Sequence, residues 1–403
     1  MKTSQSKPEI GDIIELKIVS HTNNGDTSSD WNGFTINVFG AIPGEKVAAE
    51  ITRITKDTIY ANTIKVLIHS EQRILPGCEY FGQCTGCQWQ HISYDKQLEI
   101  KQNQILHAIN SYKIHVNFEI KPVWPSENII NYRNHARFTV GPKGTLGFVN
   151  RITRKFIRID QCEIMHPQIN TFLHSLQDKV EETSQLSIRY GINTNTHLIQ
   201  PALQNPKVSI ESGQKYYSER INNHDFRIAS PSFFQTNSDQ IKHMINIISK
   251  ELNLSGKEKI ADAYAGVGTF AILLSPLSQN IYAIEESPSA IRDAKTNADG
   301  LTNIEFITSK TENALSYLSD KLDAVILDPP RKGCHPNVLN TLNQYQIPKL
   351  IYVSCEPESL ARDLKVLIDG NYQINSIQPI DLFPQTHHIE SIVSLSPKNL
   401  VFD

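Results

Sequence analysis

Short runs of alternating apolar and polar residues occupy the first part of the chain: Ile13–Val19, Phe34–Val38, Lys46–Ile54 and Thr58–Val66. A period of two marks strands with one buried face. Asn24-Gly25-Asp26, Asn32-Gly33 and Pro43-Gly44-Glu45 punctuate these runs with turn chemistry. Several short strands at this spacing predict a small β-barrel over residues 1–70. Over residues 93–114 the period lengthens, and Leu98, Ile105, Leu106 and Ile109 recur at helical spacing. Residues 121–230 are mixed, with strand-like runs at Arg137–Val140 and Thr145–Val149. Beyond about Ser230, apolar runs alternate with helical segments. The strand candidates are Lys259–Asp262, Ile281–Glu285, Asn303–Thr308, Ala324–Asp328 and Leu350–Ser354. That alternation predicts a parallel, doubly wound α/β sheet. The expected organisation is multi-domain: a barrel (1–70), a central α+β region (71–230) and an α/β domain (231–403). The helix at 93–114 is expected to pack on the last of these.

Length agrees with several domains: 403 residues at roughly 100–200 per domain make two to four. No internal repeat or low-complexity tract is visible. No apolar run approaches the ~18 residues of a membrane span. The polar N-terminus, Met1 to Glu9, does not read as a secretory leader. These features predict a cytoplasmic protein with no membrane partner, and a monomer. Net charge is −3, from 39 basic and 42 acidic residues. A uniformly basic nucleic-acid binder is thereby excluded. Yet Lys121, Arg133, Arg137, Lys143, Arg151, Arg154, Lys155 and Arg158 share one stretch with a single acid, Glu127. Such a cluster suits a polyanion, or is a solvated charged face.

Asp262-Ala263-Tyr264-Ala265-Gly266-Val267-Gly268-Thr269-Phe270 follows a predicted strand and opens a helix. Two glycines allow a tight turn and close approach to a ligand. The third glycine of a dinucleotide fingerprint is missing, since position 271 is Ala. Glu285 ends the next strand and Asp328 a later one. Acids in those places suit ribose hydroxyls and a cationic cofactor, which favours S-adenosylmethionine over a nicotinamide dinucleotide.

Two further motifs end strands: Asp328-Pro329-Pro330-Arg331-Lys332-Gly333 and Tyr352-Val353-Ser354-Cys355-Glu356-Pro357. Ligands of open α/β sheets bind at such carboxyl ends. A thiol there, Cys355, can face the crevice as a nucleophile, while Cys334 reads as a small loop residue. His387-His388-Ile389-Glu390-Ser391 closes the set. Upstream, Cys78, Cys84 and Cys87 have the spacing C-x5-C-x2-C, with Cys162 far downstream. Four such thiolates can enclose a [4Fe-4S] cube, and zinc is chemically open too.

The strand-end motifs, together with Phe233-Phe234-Gln235-Thr236-Asn237 and Ser359-Leu360-Ala361-Arg362-Asp363, resemble the RNA uracil-5-methyltransferase family. That family includes 23S rRNA and tRNA enzymes. Gly40 to Glu45 resembles the TRAM domain, an OB-like RNA-binding barrel, so the likeness covers nearly the whole chain. The resemblance implies a Rossmann-like S-adenosylmethionine-dependent domain. It implies Cys355 as nucleophile, Glu390 as general base, and Gln235, Tyr264, Glu285 and Asp328 as cofactor-binding residues. Arg331 would stabilise charge near the thiolate. With Gln88-Trp89-Gln90-His91, the cysteine segment resembles the iron–sulfur motif of the rRNA enzymes, with Cys78, Cys84, Cys87 and Cys162 as ligands. Asn131-Tyr132-Arg133-Asn134-His135-Ala136-Arg137 resembles the family's Tyr-Arg-Asn-Lys segment, which implies RNA contacts from Arg133 and Arg137.

Three positions depart from the pattern. His135 replaces the commoner lysine. Asp26-Thr27-Ser28-Ser29-Asp30 breaks the barrel's glycine pattern, which puts RNA contacts from that loop in doubt. Ser-Cys-Glu-Pro replaces Ser-Cys-Asn-Pro. The resemblance predicts methylation of uridine C5 in structured RNA, with 23S rRNA ahead of tRNA. Two other classes stay in view: a non-catalytic RNA-binding protein with this fold, and a Rossmann oxidoreductase with an iron–sulfur centre.

Overall fold

Six strands between Ile13 and Ile68 curl into the first sheet, in the order Ile13–Lys17, Lys46–Ile54, Ile59–Ile68, Phe34–Phe39, Thr27–Trp31 and Ser20–His21. The alternation in the sequence puts Leu16, Ile36, Val38, Val47, Ala49, Ile51 and Ala61 inside. Asp26 to Asp30, expected as a loop, is instead mostly strand. Thr27 and Ser29 point inward and satisfy their hydroxyls on the Val38 and Lys17 carbonyls, at 2.9 Å each. Small hydroxyl residues can take inward barrel positions once their bonds are met. In this computed structural model residues 7–115 and 117–398 are described. Residues 1–6, which carry most of the polar N-terminus, lie outside them, as do 399–403 at the end of the α/β region.

The central region holds an antiparallel five-stranded sheet: Phe156–Arg158, Leu146–Val149, His135–Val140, Gln185–Tyr190 and His197–Gln200. Helix Pro167–Leu176 covers it through Ile169, Phe172, Leu173 and Leu176. A separate hairpin, Tyr216–Ile221 with His224–Ala229, follows.

The last sheet has eight strands. Ile304–Thr308, Asn280–Glu285, Lys259–Ala263, Ala324–Leu327 and Lys349–Ser354 are parallel neighbours in that order. Glu390–Pro397 and Tyr372–Ile380 continue the sheet in antiparallel sense. The purely parallel expectation is therefore corrected. The connection between these two strands is too short for the crossover helix that parallel neighbours need. Glu119–Ile120, from the central stretch of sequence, closes the edge beside Tyr372–Ile380.

One hydrophobic core lies on each face of this sheet. Helix Tyr94–Ser111 lies against helix Pro357–Asp369, and its Ile105, Ala108 and Ile109 join Leu360, Leu364 and Tyr372 in one core. Its buried face differs from the expected stripe. Leu106 is exposed, and Gln97 and Lys101 are buried instead. Among the described residues no helix is long and apolar enough to cross a membrane.

Candidate active site

Parallel pairing brings the ends of three strands to one edge. Ala263 is level with Leu327, and Leu327 with Tyr352. Asp328 and Cys355 leave the sheet just beyond. Ser354 pairs with Ser391 across the antiparallel neighbour, so Glu390 emerges next to Cys355. The Ser354 hydroxyl accepts the Glu356 N–H at 3.2 Å, which shapes the bend from strand to helix. Glu390 is 3% exposed. Burial pushes its carboxyl well above the usual range; Asp328 adds to the shift and Arg331 opposes it. Burial likewise pushes the Cys355 thiol up to about 12, with Glu390 adding and Arg331 lowering. Arg331 is exposed, and its carbonyl is held by the Ser359 hydroxyl at 2.7 Å.

The turn after Lys259–Ala263 has left-handed backbone at Tyr264 (φ 67°), Gly266 (φ 56°) and Gly268 (φ 84°). Glu285 holds it: one carboxylate oxygen accepts the Gly266 N–H at 3.0 Å and the other the Ser287 N–H at 2.7 Å. Asp262 is fully buried, and its Oδ2 accepts the Ala271 N–H at 2.9 Å. Its Oδ1 has no partner among the described residues. Burial raises Asp262 to about 8 and Asp328 to about 7. Acids gathered at one strand edge that cannot comfortably ionise are chemically matched to a cationic ligand. The Gln235 side-chain amide makes no hydrogen bond among the described residues, while its carbonyl accepts Asn134 Nδ2 at 3.1 Å. These groups fit S-adenosylmethionine. Cys334 faces the core: it is buried between the Tyr264 and Tyr352 side chains, and its N–H donates to Asp363 Oδ2 at 2.7 Å.

The segment before Glu390 is held from the N-terminal side of the chain. The Gln385 carbonyl accepts the N–H groups of Gln88 and Trp89, both at 3.0 Å. His387 Nδ1 meets Gln88 Oε1 at 3.2 Å. Burial depresses both His387, to about 4, and His388, to about 3, so both rings are neutral. The turn of the first sheet around Gly25 joins the same place. Trp89 Nε1 donates to the Gly25 carbonyl at 2.8 Å, and Asn23 Nδ2 donates to Glu358 Oε1 at 3.0 Å.

Cys78, Cys84, Cys87 and Cys162 line one cavity of about 240 Å³ with Arg133, Arg137, Gln90 and Glu163. Burial raises all four thiols, and the neighbouring thiols add to the shift at Cys87, Cys162 and Cys84. Four thiolates are stable there only around positive charge. Among the described residues no three His, Cys, Asp or Glu side chains stand close enough to hold a single metal ion. Four cysteines around one cavity are a donor set that a tetrahedral zinc or a four-iron cube could use.

Residues 193–398 match the family described as tRNA (Uracil-5-)-methyltransferase, over half of the chain. The chain belongs to the RNA (uracil-5-)-methyltransferase family. An RNA methyltransferase of Halalkalibacterium halodurans, described as uncharacterized, is 29% identical over 99% of this chain and 100% of its own. One from Clostridium acetobutylicum, described in the same way, is 30% identical over 94% and 96%. Among solved structures, the Pyrococcus abyssi tRNA (uracil-54, C5)-methyltransferase in complex with S-adenosyl-L-homocysteine superposes with a TM-score of 0.77. It is 26% identical and covers 95% of this chain and 100% of that one.

In this methyltransferase the basic stretch is partly neutralised by acids that lie outside it, most of them far away in sequence. Lys121 pairs with Glu251, Arg151 with Asp26, and Arg158 with Asp160 and Asp178. Arg133, Arg137, Lys143, Arg154 and Lys155 make no ion pair among the described residues. His135 is held neutral, its pKa depressed to about 3 by burial and by Arg189, Arg133 and Arg137. It does not replace a lysine's charge. Gln97, Lys101, Asp381 and Gln385 escaped notice in the sequence. The one signal, for Gln97 and Lys101, is polar residues at helical spacing on a face that otherwise buries apolar side chains.

Proposed function

We propose that this enzyme methylates uridine C5 in a structured RNA with Cys355 as nucleophile and Glu390 as general base. The observation that carries this is the emergence of a thiol and a buried carboxyl side by side, at the strand edge that also carries Asp262 and Asp328. Uracil C5 is weakly nucleophilic. Cys355, as thiolate, adds to C6 and moves an electron pair to C5 and the C4 carbonyl. Arg331 stabilises the thiolate and the enolate charge. S-adenosylmethionine, when bound, supplies an electrophilic methyl group. Glu390 then takes the C5 proton, the C5–C6 double bond re-forms, and Cys355 leaves as thiolate. Gln235, Tyr264, Glu285 and Asp328 are assigned to the cofactor.

The four cysteines are assigned to a structural [4Fe-4S] cluster. Their shared cavity and unfavourable ionisation support that assignment. About four irons and four sulfides per anaerobically purified chain, lost in Cys87→Ser, is the expected analysis. One zinc per chain would overturn it. Arg133 and Arg137 beside the cavity are assigned to RNA, with the barrel over 1–70 and the region 71–230 as the recognition part.

The likeness of the cysteine segment to the rRNA enzymes makes 23S rRNA the first substrate candidate. tRNA is the second, supported by the full-length likeness to the Pyrococcus abyssi tRNA enzyme. The test is incubation with S-adenosylmethionine and unmodified 23S rRNA or tRNA transcripts, followed by nuclease digestion and mass spectrometry. A single new 5-methyluridine in one RNA selects that substrate. No product on either, with cofactor bound, would favour a non-catalytic RNA-binding protein.

A further inference from the structure

Tyr94, Gln97 and Lys101 lie one above another on the inner face of helix Tyr94–Ser111. Such a face ordinarily buries apolar side chains. Here Gln97 and Lys101 are both 0% exposed. All three reach one segment, Asp381–Gln385, which leads into Glu390. Lys101 Nζ donates to Asp381 Oδ1 at 2.6 Å and to the Phe383 carbonyl at 3.1 Å. The Tyr94 hydroxyl donates to Asp381 Oδ2 at 3.1 Å. Gln97 and Gln385 bond reciprocally: Gln97 Oε1 accepts the Gln385 N–H at 3.0 Å, and Gln97 Nε2 donates to Gln385 Oε1 at 3.0 Å.

A buried lysine–aspartate pair contributes little net stability, because desolvation offsets the attraction. An apolar pair would fasten the helix to the sheet as firmly. What the polar set adds is a defined position for a segment that has no regular structure of its own between Ile380 and Glu390. A general base must be held to within about 0.5 Å of its productive place. We infer that Gln97 and Lys101 are positioning residues for Glu390, acting through Gln385 and Asp381. The inference rests on Glu390 being the base that takes the C5 proton.

The step that needs Glu390 breaks the C5–H bond, re-forms the C5–C6 double bond and expels the Cys355 thiolate. With the base displaced, methylated RNA stays bonded to Cys355. Full-length Gln97→Met, the neutral pair Lys101→Met with Asp381→Asn, and Glu390→Gln are compared. The RNA is whichever unmodified transcript, 23S rRNA or tRNA, the unaltered enzyme methylates. Glu390→Gln is expected to accumulate a denaturant-resistant protein–RNA adduct. Gln97→Met and the double variant are expected to accumulate the same adduct, with turnover down at least about tenfold and S-adenosylhomocysteine affinity changed less than about twofold. A purely structural role would lower adduct, turnover and cofactor affinity together.

If Glu390→Gln traps the adduct while the other two turn over normally, or lose adduct and cofactor affinity in parallel, the positioning role is overturned and the base stands. If Glu390→Gln traps nothing, the base assignment falls, and the inference with it. Should Gln97→Met fail to fold, the double variant decides: trapped adduct supports the inference, and full turnover overturns it.

Discussion

Ser354 and Ser391 are register partners on neighbouring antiparallel strands, so the residue after one and the residue before the other open at the same point. Those residues are Cys355 and Glu390. The sheet's hydrogen bonding, rather than any contact between the two side chains, sets their spacing. Glu390→Gln keeps the shape and removes the proposed base. Turnover should fall roughly 10²–10⁴-fold. Cys355→Ala should reduce methylation to background while S-adenosylhomocysteine binding persists. Isothermal calorimetry beside a methyl-incorporation assay checks both. Full turnover by Cys355→Ala would remove covalent catalysis from the mechanism.

Burial raises Asp262 to about 8 and Asp328 to about 7. An unfolded chain ionises its aspartates near pH 4, at about 3.9. Between there and pH 8 the folded, ligand-free protein binds more protons than the unfolded one. Its stability therefore falls as pH rises through that window. Asp328→Asn, which cannot ionise, should raise the melting temperature above pH 8 and leave it unchanged below pH 4. The gain is on the order of a few kcal/mol, at about 1.4 kcal/mol per pKa unit. An equal shift at both pH values would show that the folded and unfolded chains bind the Asp328 proton alike.

Gly25 sits at φ 81°, and a Cβ added there would lie 2.8 Å from His387 Cβ and 3.1 Å from Gln88 Cγ. Gly33 has nearly the same φ, 84°, with nothing within 4 Å. Both Gly→Ala changes carry backbone strain of about 1–3 kcal/mol. Only Gly25→Ala also pushes on the segment before Glu390. Its turnover should fall well below that of Gly33→Ala at matched loss of melting temperature. Equal turnover in the two variants would mean that the barrel turn does not bear on catalysis.

Arg137 is exposed and makes no ion pair among the described residues, whereas Arg151 is paired with Asp26 and lies over the Phe39 ring. RNA binding measured across a salt series separates them. Arg137→Gln should lower the salt slope by about one. Arg151→Gln should leave the slope unchanged and destabilise the protein. A fall in slope for Arg151 alone would reverse the two assignments.

The sequence was most informative where apolar strands end in reactive residues. Asp262 stands at the end of an apolar run that reads as a buried parallel strand, and Asp328 and Cys355 stand just after two others; such strands share their carboxyl edge. The alternation along the strands of the first sheet was legible for the same reason. Thr27–Trp31 was not, because the hydroxyls on its inward positions find their partners, the Val38 and Lys17 carbonyls, only once the sheet has folded. Leu106 was assigned to the buried face of its helix because a leucine looks apolar wherever it stands. Lys101 was missed because its counter-charge, Asp381, lies at the other end of the chain. The basic stretch was overcounted likewise: Glu251, Asp26 and Asp178 neutralise it from outside the window.

The edge strand Glu119–Ile120 means that the chain cannot be divided at residue 231 without exposing the rim of the largest sheet. The same cut would strip away the helix that supplies Asp381 with its cation. Anyone building a hybrid to redirect this enzyme to another RNA would have to leave residues 88–134 with the catalytic half and exchange only the barrel and the five-stranded sheet. Even then the donor barrel would need a turn small enough to rest against His387.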